Sequence, residues 1–385
     1  MAMQQSEWLK DFKCLGDKCE DTCCKGWGMQ LDDATLARYR EAAPEMMGFV
    51  TQGESDHVMM RDEETDYCVK FDQGWCAIQK EKGSDFLGDA CHFFPRVTRQ
   101  LGDITIQTAT LSCPEAARKA LLDARSALWH ESEPERLPYA LYNYLPDGLM
   151  PQQAMQIHES FLTAAIAEDA MVGKIVARLH SVAQSLMSID VSTWPMAVDF
   201  YLKNADSRLT QPEARTEDPF QLYHALAGLV RAAKPSSRPR LQRVLTTMQD
   251  ALDVRENGGD LSFGNHSLPN LQQMRDGWKF INDQWQPYLK RWLQVELAVA
   301  LFPFSGFGDT LVDRITIIGV RLATLKLALQ CHLYRHQSLH EDEFVEIVQS
   351  LARFLDHLAD PALSMQIYQE TGWVKTPRLW GLFAA

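Results

Sequence analysis

Beyond about residue 125, apolar residues recur three and four positions apart in long stretches at 152–188, 221–233, 240–252, 286–301, 309–336 and 341–357. That period belongs to helices with one face turned inward. Turn-rich segments separate them: 206–219, 234–239 with two prolines, and 256–269 with its Gly258-Gly259 pair. Before residue 125 the pattern is different. Leu31, Ala34, Leu36 and Tyr39 fit a helix over 32–40 opened by Asp32-Asp33. His57-Val-Met-Met, Tyr67-Cys-Val-Lys-Phe71 and Trp75-Cys-Ala-Ile78 read as short strands around a turn at Asp72-Gln-Gly74, and a second hairpin is expected about Gly102-Asp103. Ser112 and Glu115 have capping-box spacing, with Pro114 where a missing N–H costs nothing. Cys113 is thereby placed at a helix N-terminus, where the dipole favours thiolate. The pattern predicts a mainly α protein in which a cysteine-rich N-terminal module with short strands, residues 1–125, packs on an all-α helical body, residues 126–385.

The length of 385 residues is ample for a hydrophobic core, so disulfide staples are not required for folding. The first ten residues carry no apolar signal segment, and no apolar run reaches the length of a membrane span: 295–304 is interrupted by Pro303, and 315–329 by Arg321 and Lys326. A cytoplasmic location is expected, where thiols stay reduced. The net charge of −13 argues against nucleic acid or anionic membrane as partners. The first 113 residues contribute −8 of it, from 12 basic and 20 acidic side chains.

The cysteines change the picture most. Eight of nine lie between Cys14 and Cys113, as Cys14, Cys19, Cys23 and Cys24 followed by Lys25-Gly-Trp27, and as Cys68, Cys76, Cys91 and Cys113. In a reducing compartment such clustering points to metal rather than disulfides. Paired C-x2-C zinc knuckles are absent, whereas iron–sulfur ligation tolerates looser spacing; eight thiols suffice for two four-thiolate sites. Adjacent side chains in an extended segment point oppositely, so Cys23 and Cys24 are expected to serve different sites. All eight are therefore candidate ligands, for an iron–sulfur cluster or alternatively for zinc. His92 beside Cys91 is a lesser candidate, and Cys331, inside an apolar helical pattern, reads as core. The C-x3-C-x2-C triplet of radical enzymes that cleave S-adenosylmethionine is missing.

The Cys14…Cys19…Cys23-Cys24-Lys-Gly-Trp27 block, Cys76-Ala-Ile, Cys91-His-Phe-Phe-Pro95 and Leu111-Ser-Cys-Pro114-Glu115 resemble the flagellin lysine-N-methylases, within the cysteine-cluster proteins that chelate zinc or iron. The likeness continues from Trp285-Gln-Pro-Tyr-Leu289 to Leu301-Phe-Pro-Phe304, although Arg291-Trp-Leu293 stands where the family shows Asn-Tyr-Leu. The resemblance implies methyl transfer from S-adenosylmethionine to lysines of flagellin, with a bound metal centre. Such transfer needs a neutral amine in line with the sulfonium methyl group. No glycine-rich nucleotide turn follows a strand; Gly306-Phe-Gly308 reads as an interhelical loop. Glu296 and Asp309 flank the Leu-Phe-Pro-Phe segment and are placed to act on a lysine proton, but surface or capping roles are the simpler assignment. Catalytic and cofactor-binding residues thus stay unassigned. A non-catalytic metal-binding adaptor and a redox-responsive regulator are the competing readings.

Overall fold

A computed structural model describes residues 3–53, 56–123, 129–134, 136–233, 238–257, 260–357 and 361–384. The turn expectations at 234–237 and 258–259 lie outside them. The protein is mainly helical. Chain order runs from β1 (Met3–Ser6) through α1 (Asp33–Ala42), β2 (Val50–Gln52), β3 (His57–Met59), β4 (Phe71–Asp72), β5 (Trp75–Cys76), α2 (Ala77–Lys82) and α3 (Asp89–Phe93) to the hairpin β6 (Arg96–Leu101) and β7 (Ile104–Ala109). After α4 (Pro114–Leu122) and β8 (Trp129–Ser132) come α5 (Pro151–Ala165), α6 (Val172–Leu186), α7 (Trp194–Lys203), α8 (Asp218–Ala232) and α9 (Pro239–Ala251). A short ribbon, β9 (Val254–Asn257) and β10 (Asp260–Phe263), precedes α10 (Ser267–Val299), α11 (Leu311–His336), α12 (Glu341–Leu355), α13 (Pro361–Glu370) and α14 (Thr376–Ala384).

The N-terminal helix begins as its sequence dictates: the Asp32 carboxylate accepts the Thr35 N–H at 2.8 Å. The Asp72–Gly74 turn forms with Gln73 and Gly74 both at positive φ, joining β4 to β5. The expected second hairpin also forms, and it recruits two strands that the pattern did not announce. The sheet order is β6-β7-β1-β8, with β1 parallel to β7 (Met3 opposite Thr105) and antiparallel to β8. Strands this short carry too few alternating positions to register as a period.

The helical body departs from its pattern in two places. The stretch at 152–188 is two helices, α5 and α6, folded back at 166–171 with neither proline nor glycine at the break. Partners for the exposed ends come from α10: Lys290 Nζ donates to Ala167 O at 2.7 Å, Gln294 Nε2 to Leu162 O at 3.1 Å, and Gln286 Oε1 accepts the Val172 N–H at 2.8 Å. The break is thus capped from elsewhere in the fold, a signal local sequence does not carry. In turn α10 extends well upstream of residue 286 and runs through Pro287, burying Leu271, Met274, Trp278, Trp285, Leu289 and Trp292 along one stripe. At its centre the body holds α11, buried on all sides from Ile315 to Cys331 and packed by α6, α9, α10, α12 and α14.

Two apolar cores result. The larger joins the helices to Trp8, Leu9, Phe12, Leu101 and Ile106 from the N-terminal segment, so residues on both sides of 125 share it. The smaller is built from Met29, Leu31, Leu36, Tyr39, Met46, Met59, Cys68, Ile78 and Leu87, with Cys24, Cys76 and Cys91 at its margin.

Candidate functional site

All nine cysteines are free thiols. Backbone turns place the first group: the Cys19 N–H closes on Gly16 O, Cys24 N–H on Thr22 Oγ1, and Cys68 N–H on Cys24 O at 2.8 Å, which ties the two sequence groups together. Cys76 ends β5 and precedes α2, Cys91 lies in α3, and Cys113 precedes α4. The thiols sort into two neighbourhoods. Cys24 and Cys76 share a hydrogen bond, and Cys91 is coupled electrostatically to Cys24, Cys76 and Cys68. Cys113 feels Cys19 and Cys14 instead. Cys23 adjoins the first set by a hydrogen bond to Cys24, which, ahead of burial, pushes the Cys24 thiol up to about 12. Burial raises Cys19, Cys68 and Cys91 as well.

Cys113 stands at its helix N-terminus as expected, yet the thiolate is not favoured there. The Ala116 and Glu115 N–H groups pull its pKa down, but burial outweighs them and pushes it up to about 12. Nor does Ser112 cap α4: its hydroxyl donates to Asp356 at 2.8 Å, while Glu115 pairs with Arg118. Cys331 is buried in the larger core. His92 turns its Nδ1 to Ser84 O at 3.1 Å. Among the described residues, no group of three or more Cys, His, Asp and Glu stands at a spacing that would hold a metal ion. The donor chemistry nevertheless fits a thiophilic metal, because the first neighbourhood is four cysteines and no carboxylate; binding would displace protons that burial otherwise retains.

The α12 helix clamps the first cysteine loop. Arg353, buried, donates to Asp21 O, Thr22 O and Lys25 O, and its Nη1 pairs with the Asp21 carboxylate at 2.5 Å. Gln349 Nε2 bridges Asp21 Oδ2 at 2.8 Å and Ser112 O at 3.0 Å. The loop then lays Trp27 between Phe94 and His357, with ring centroids 5.2 and 4.3 Å away.

Beside this junction opens a cleft of about 370 Å3 whose lining includes Val97, Glu296, Val299, Phe307, Ile317 and Asp356. Arg99 of β6 fixes one wall, donating to Val299 O, Tyr144 Oη and Ser305 Oγ, each at 3.0 Å. Arg314 fixes the loop between α10 and α11 through Pro303 O at 2.6 Å and Gly308 O at 3.3 Å. Within the lining Glu296 is only 7% exposed. Its carboxyl stands 3.8 Å from Arg321 Nη1, beyond hydrogen-bond reach. Arg321 is drawn instead to Asp356, at 3.1 Å, and to Leu355 O, at 2.7 Å. Asp356 also accepts from Thr110 and Ser112. Burial, reinforced by the Asp356 charge and only partly offset by Arg321, raises Glu296 to about 8. Asp309, the other acid singled out in the sequence, is exposed. Of the segments that carry the family resemblance, Trp27 reaches the cleft's edge by packing on His357, with Phe94 beside it, and Ser112 by its bond to Asp356. The surface or capping role that the sequence favours for Glu296 does not hold, since the residue is buried; the signal of burial is Arg321, a charge inside an apolar run that has to be answered somewhere.

No protein-family model matches the chain, and no solved structure does. Three curated proteins do. Two are named Lysine-N-methylase: one from Salmonella choleraesuis (strain SC-B67), 25% identical over 136 residues, and one from Salmonella typhimurium (strain LT2), 27% identical over 136 residues. Each match covers 32% of this chain and 33% of the relative, so it spans about a third of the length of those proteins. The third, "Flagellar biosynthetic protein FliU" of Salmonella muenchen, is 24% identical over 136 residues, 32% of this chain and 79% of that protein. These matches support the resemblance to flagellin lysine-N-methylases drawn from the cysteine motifs.

Proposed function

We propose that the chain is a protein-lysine N-methyltransferase that takes methyl groups from S-adenosylmethionine, acts on flagellin and carries a thiolate-ligated metal centre. The observation that carries this reading is the similarity to relatives named lysine-N-methylase and FliU; the cleft supplies a chemically suited place for it. Cys24, Cys68, Cys76 and Cys91 would hold one group, an iron–sulfur cluster or alternatively zinc, with Cys23 at its edge beside Cys24, leaving Cys14, Cys19 and Cys113 to a second. With four thiolates closing its coordination, such a centre would act as a structural or redox-sensitive staple. The protein's own part is positional: to bring a neutral lysine nitrogen in line with the sulfonium methyl group and keep water out. An amine is already a nucleophile, so no radical is needed.

The test is mass spectrometry of flagellin co-expressed with the chain and without it. Lysine residues heavier by one methylene unit per transfer are expected only in its presence. Unmodified flagellin that co-purifies with the chain would replace the enzyme by a metal-binding adaptor. Methylation that follows the oxidation state of the cells would add the regulatory reading to the catalytic one.

A further inference from the structure

We propose that the cleft between β6 and the α10–α11 loop receives the substrate lysine side chain, and that Glu296 accepts the proton from its ammonium group. This rests on the lysine-methylation reading and deepens it.

A lysine side chain pairs an aliphatic stem with a cationic head, so its receptor needs an apolar passage ending at a proton acceptor. Val97, Val299, Phe307 and Ile317 supply apolar lining, and the buried Glu296 shares it. The cations around it do not serve as ligands for an anion. Arg99 and Arg314 are engaged with main-chain carbonyls, and Arg321 with Asp356 and Leu355 O. Their effect is instead a field. Arg99 from β6, Arg314 and Arg321 from α11, Asp356 and His357 beyond α12, and Tyr144 share the lining with Glu296, and of these Asp356 and Arg321 act on its carboxyl. Three guanidinium groups against two acids disfavour an ammonium ion in the cleft and favour a neutral amine, the form that attacks. A carboxylate whose proton affinity burial has raised is also a stronger base than a solvated one.

The step balances as follows. The ammonium group passes a proton to the Glu296 carboxylate, leaving a neutral amine and a carboxylic acid. The nitrogen lone pair then forms a bond to the methyl carbon of the sulfonium donor, while the carbon–sulfur pair stays on sulfur as a thioether. The methylated amine leaves as an ammonium ion, and Glu296 returns its proton to solvent. Asp356 is a positioning residue here: it holds Arg321 at 3.1 Å and ties the cleft to the segment bearing Cys113 through Ser112.

The experiment is steady-state methylation of flagellin across pH by wild type, Glu296→Gln and Glu296→Asp, each checked for folding by circular dichroism. Wild-type turnover should rise with pH through an inflection near 8. Glu296→Gln should lose about a hundredfold or more in kcat at unchanged donor KM, and its inflection should disappear. Glu296→Asp keeps a carboxylate drawn back by one methylene, so it should retain an inflection at an intermediate rate; it decides the matter if the Gln variant does not fold. Wild-type rate and profile in Glu296→Gln would overturn the assignment while leaving lysine methylation standing. So would a defect confined to donor KM, which would make the cleft a donor site, and so would a Glu296→Asp profile without inflection. Absence of methyl transfer by the wild type at every pH would overturn the parent reading instead.

Discussion

At the scale of single residues, the cleft depends on charges placed where water is scarce. Glu296 has a consequence for stability that requires no substrate. Its folded-state value, about 8, lies above the ordinary 4.5, so the native protein binds more protons than the unfolded chain between those limits. The stability that accompanies the neutral carboxyl is fully present at low pH and is lost as pH rises through the folded value. Glu296→Gln is permanently neutral, so its melting temperature should gain on the wild type between pH 5 and 8 (roughly the span of the two values); a constant difference would mean that the group is not protonated natively. Arg353 makes the opposite contribution, pairing buried positive charge with three carbonyls and a carboxylate. Its replacement by Ala should cost about 3 kcal/mol in chemical denaturation, with earlier proteolytic cutting in the loop it clamps, and Lys should restore only part because it lacks the planar fork. Arg353's role was not legible in sequence, and Glu296, flagged there with Asp309 for a lysine proton, fitted a surface or capping role more simply. What could be read was the anomaly of a charge inside an apolar period; its partner could not, since Asp356 and Asp21 lie far from Arg321 and Arg353 in the chain or on another element.

At the scale of elements, the sequence was most informative where chemistry is local. Asp32 opens α1 through its own side chain, the Asp72–Gly74 turn takes the positive φ its residues tolerate, and the Gly306–Gly308 segment is an interhelical loop. It was least informative where a helix end is satisfied by another helix, as at the α5–α6 break. The Ser112 cap failed for a related reason: Asp356 offers that hydroxyl an ionised acceptor, a stronger partner than a backbone N–H. The loop that walls the cleft ends at Thr310, whose hydroxyl accepts the Asp313 N–H at 3.1 Å while Asp313 Oδ2 accepts the Thr310 N–H at 3.0 Å. Thr310→Ala should therefore destabilise the protein by about 1 kcal/mol, read from a urea midpoint. Thr310→Ser should leave that midpoint nearly unchanged, since it keeps the hydroxyl.

At the scale of the whole molecule, α12 joins the two ends of the chain. Its Arg353 and Gln349 hold the first cysteine loop, and the Asp356 just beyond it reaches both Ser112 and Arg321. Among the described residues, no helix is long and apolar enough to cross a membrane. Clustering of the cysteines was plain in the sequence; their partition into two neighbourhoods was not, because it depends on how α3 and β5 fold against the first loop. If the first neighbourhood is one centre, Cys68→Ser and Cys91→Ser should lower the metal content per chain by the same step, while Cys331→Ser, in the larger core, leaves it unchanged; metal analysis of anaerobically purified variants reads this directly. Equal metal content in all three variants would separate the first neighbourhood from any centre.

Polar methyl transfer to a lysine made neutral in the cleft leaves different products from a radical reaction. A single-turnover reaction of the purified protein with flagellin and S-adenosylmethionine, resolved by chromatography, tests it most directly. Polar transfer should give methyl-lysine and S-adenosylhomocysteine in equal amounts, with no added reductant. Methyl-lysine accompanied by equal 5′-deoxyadenosine and dependent on a reductant would contradict it.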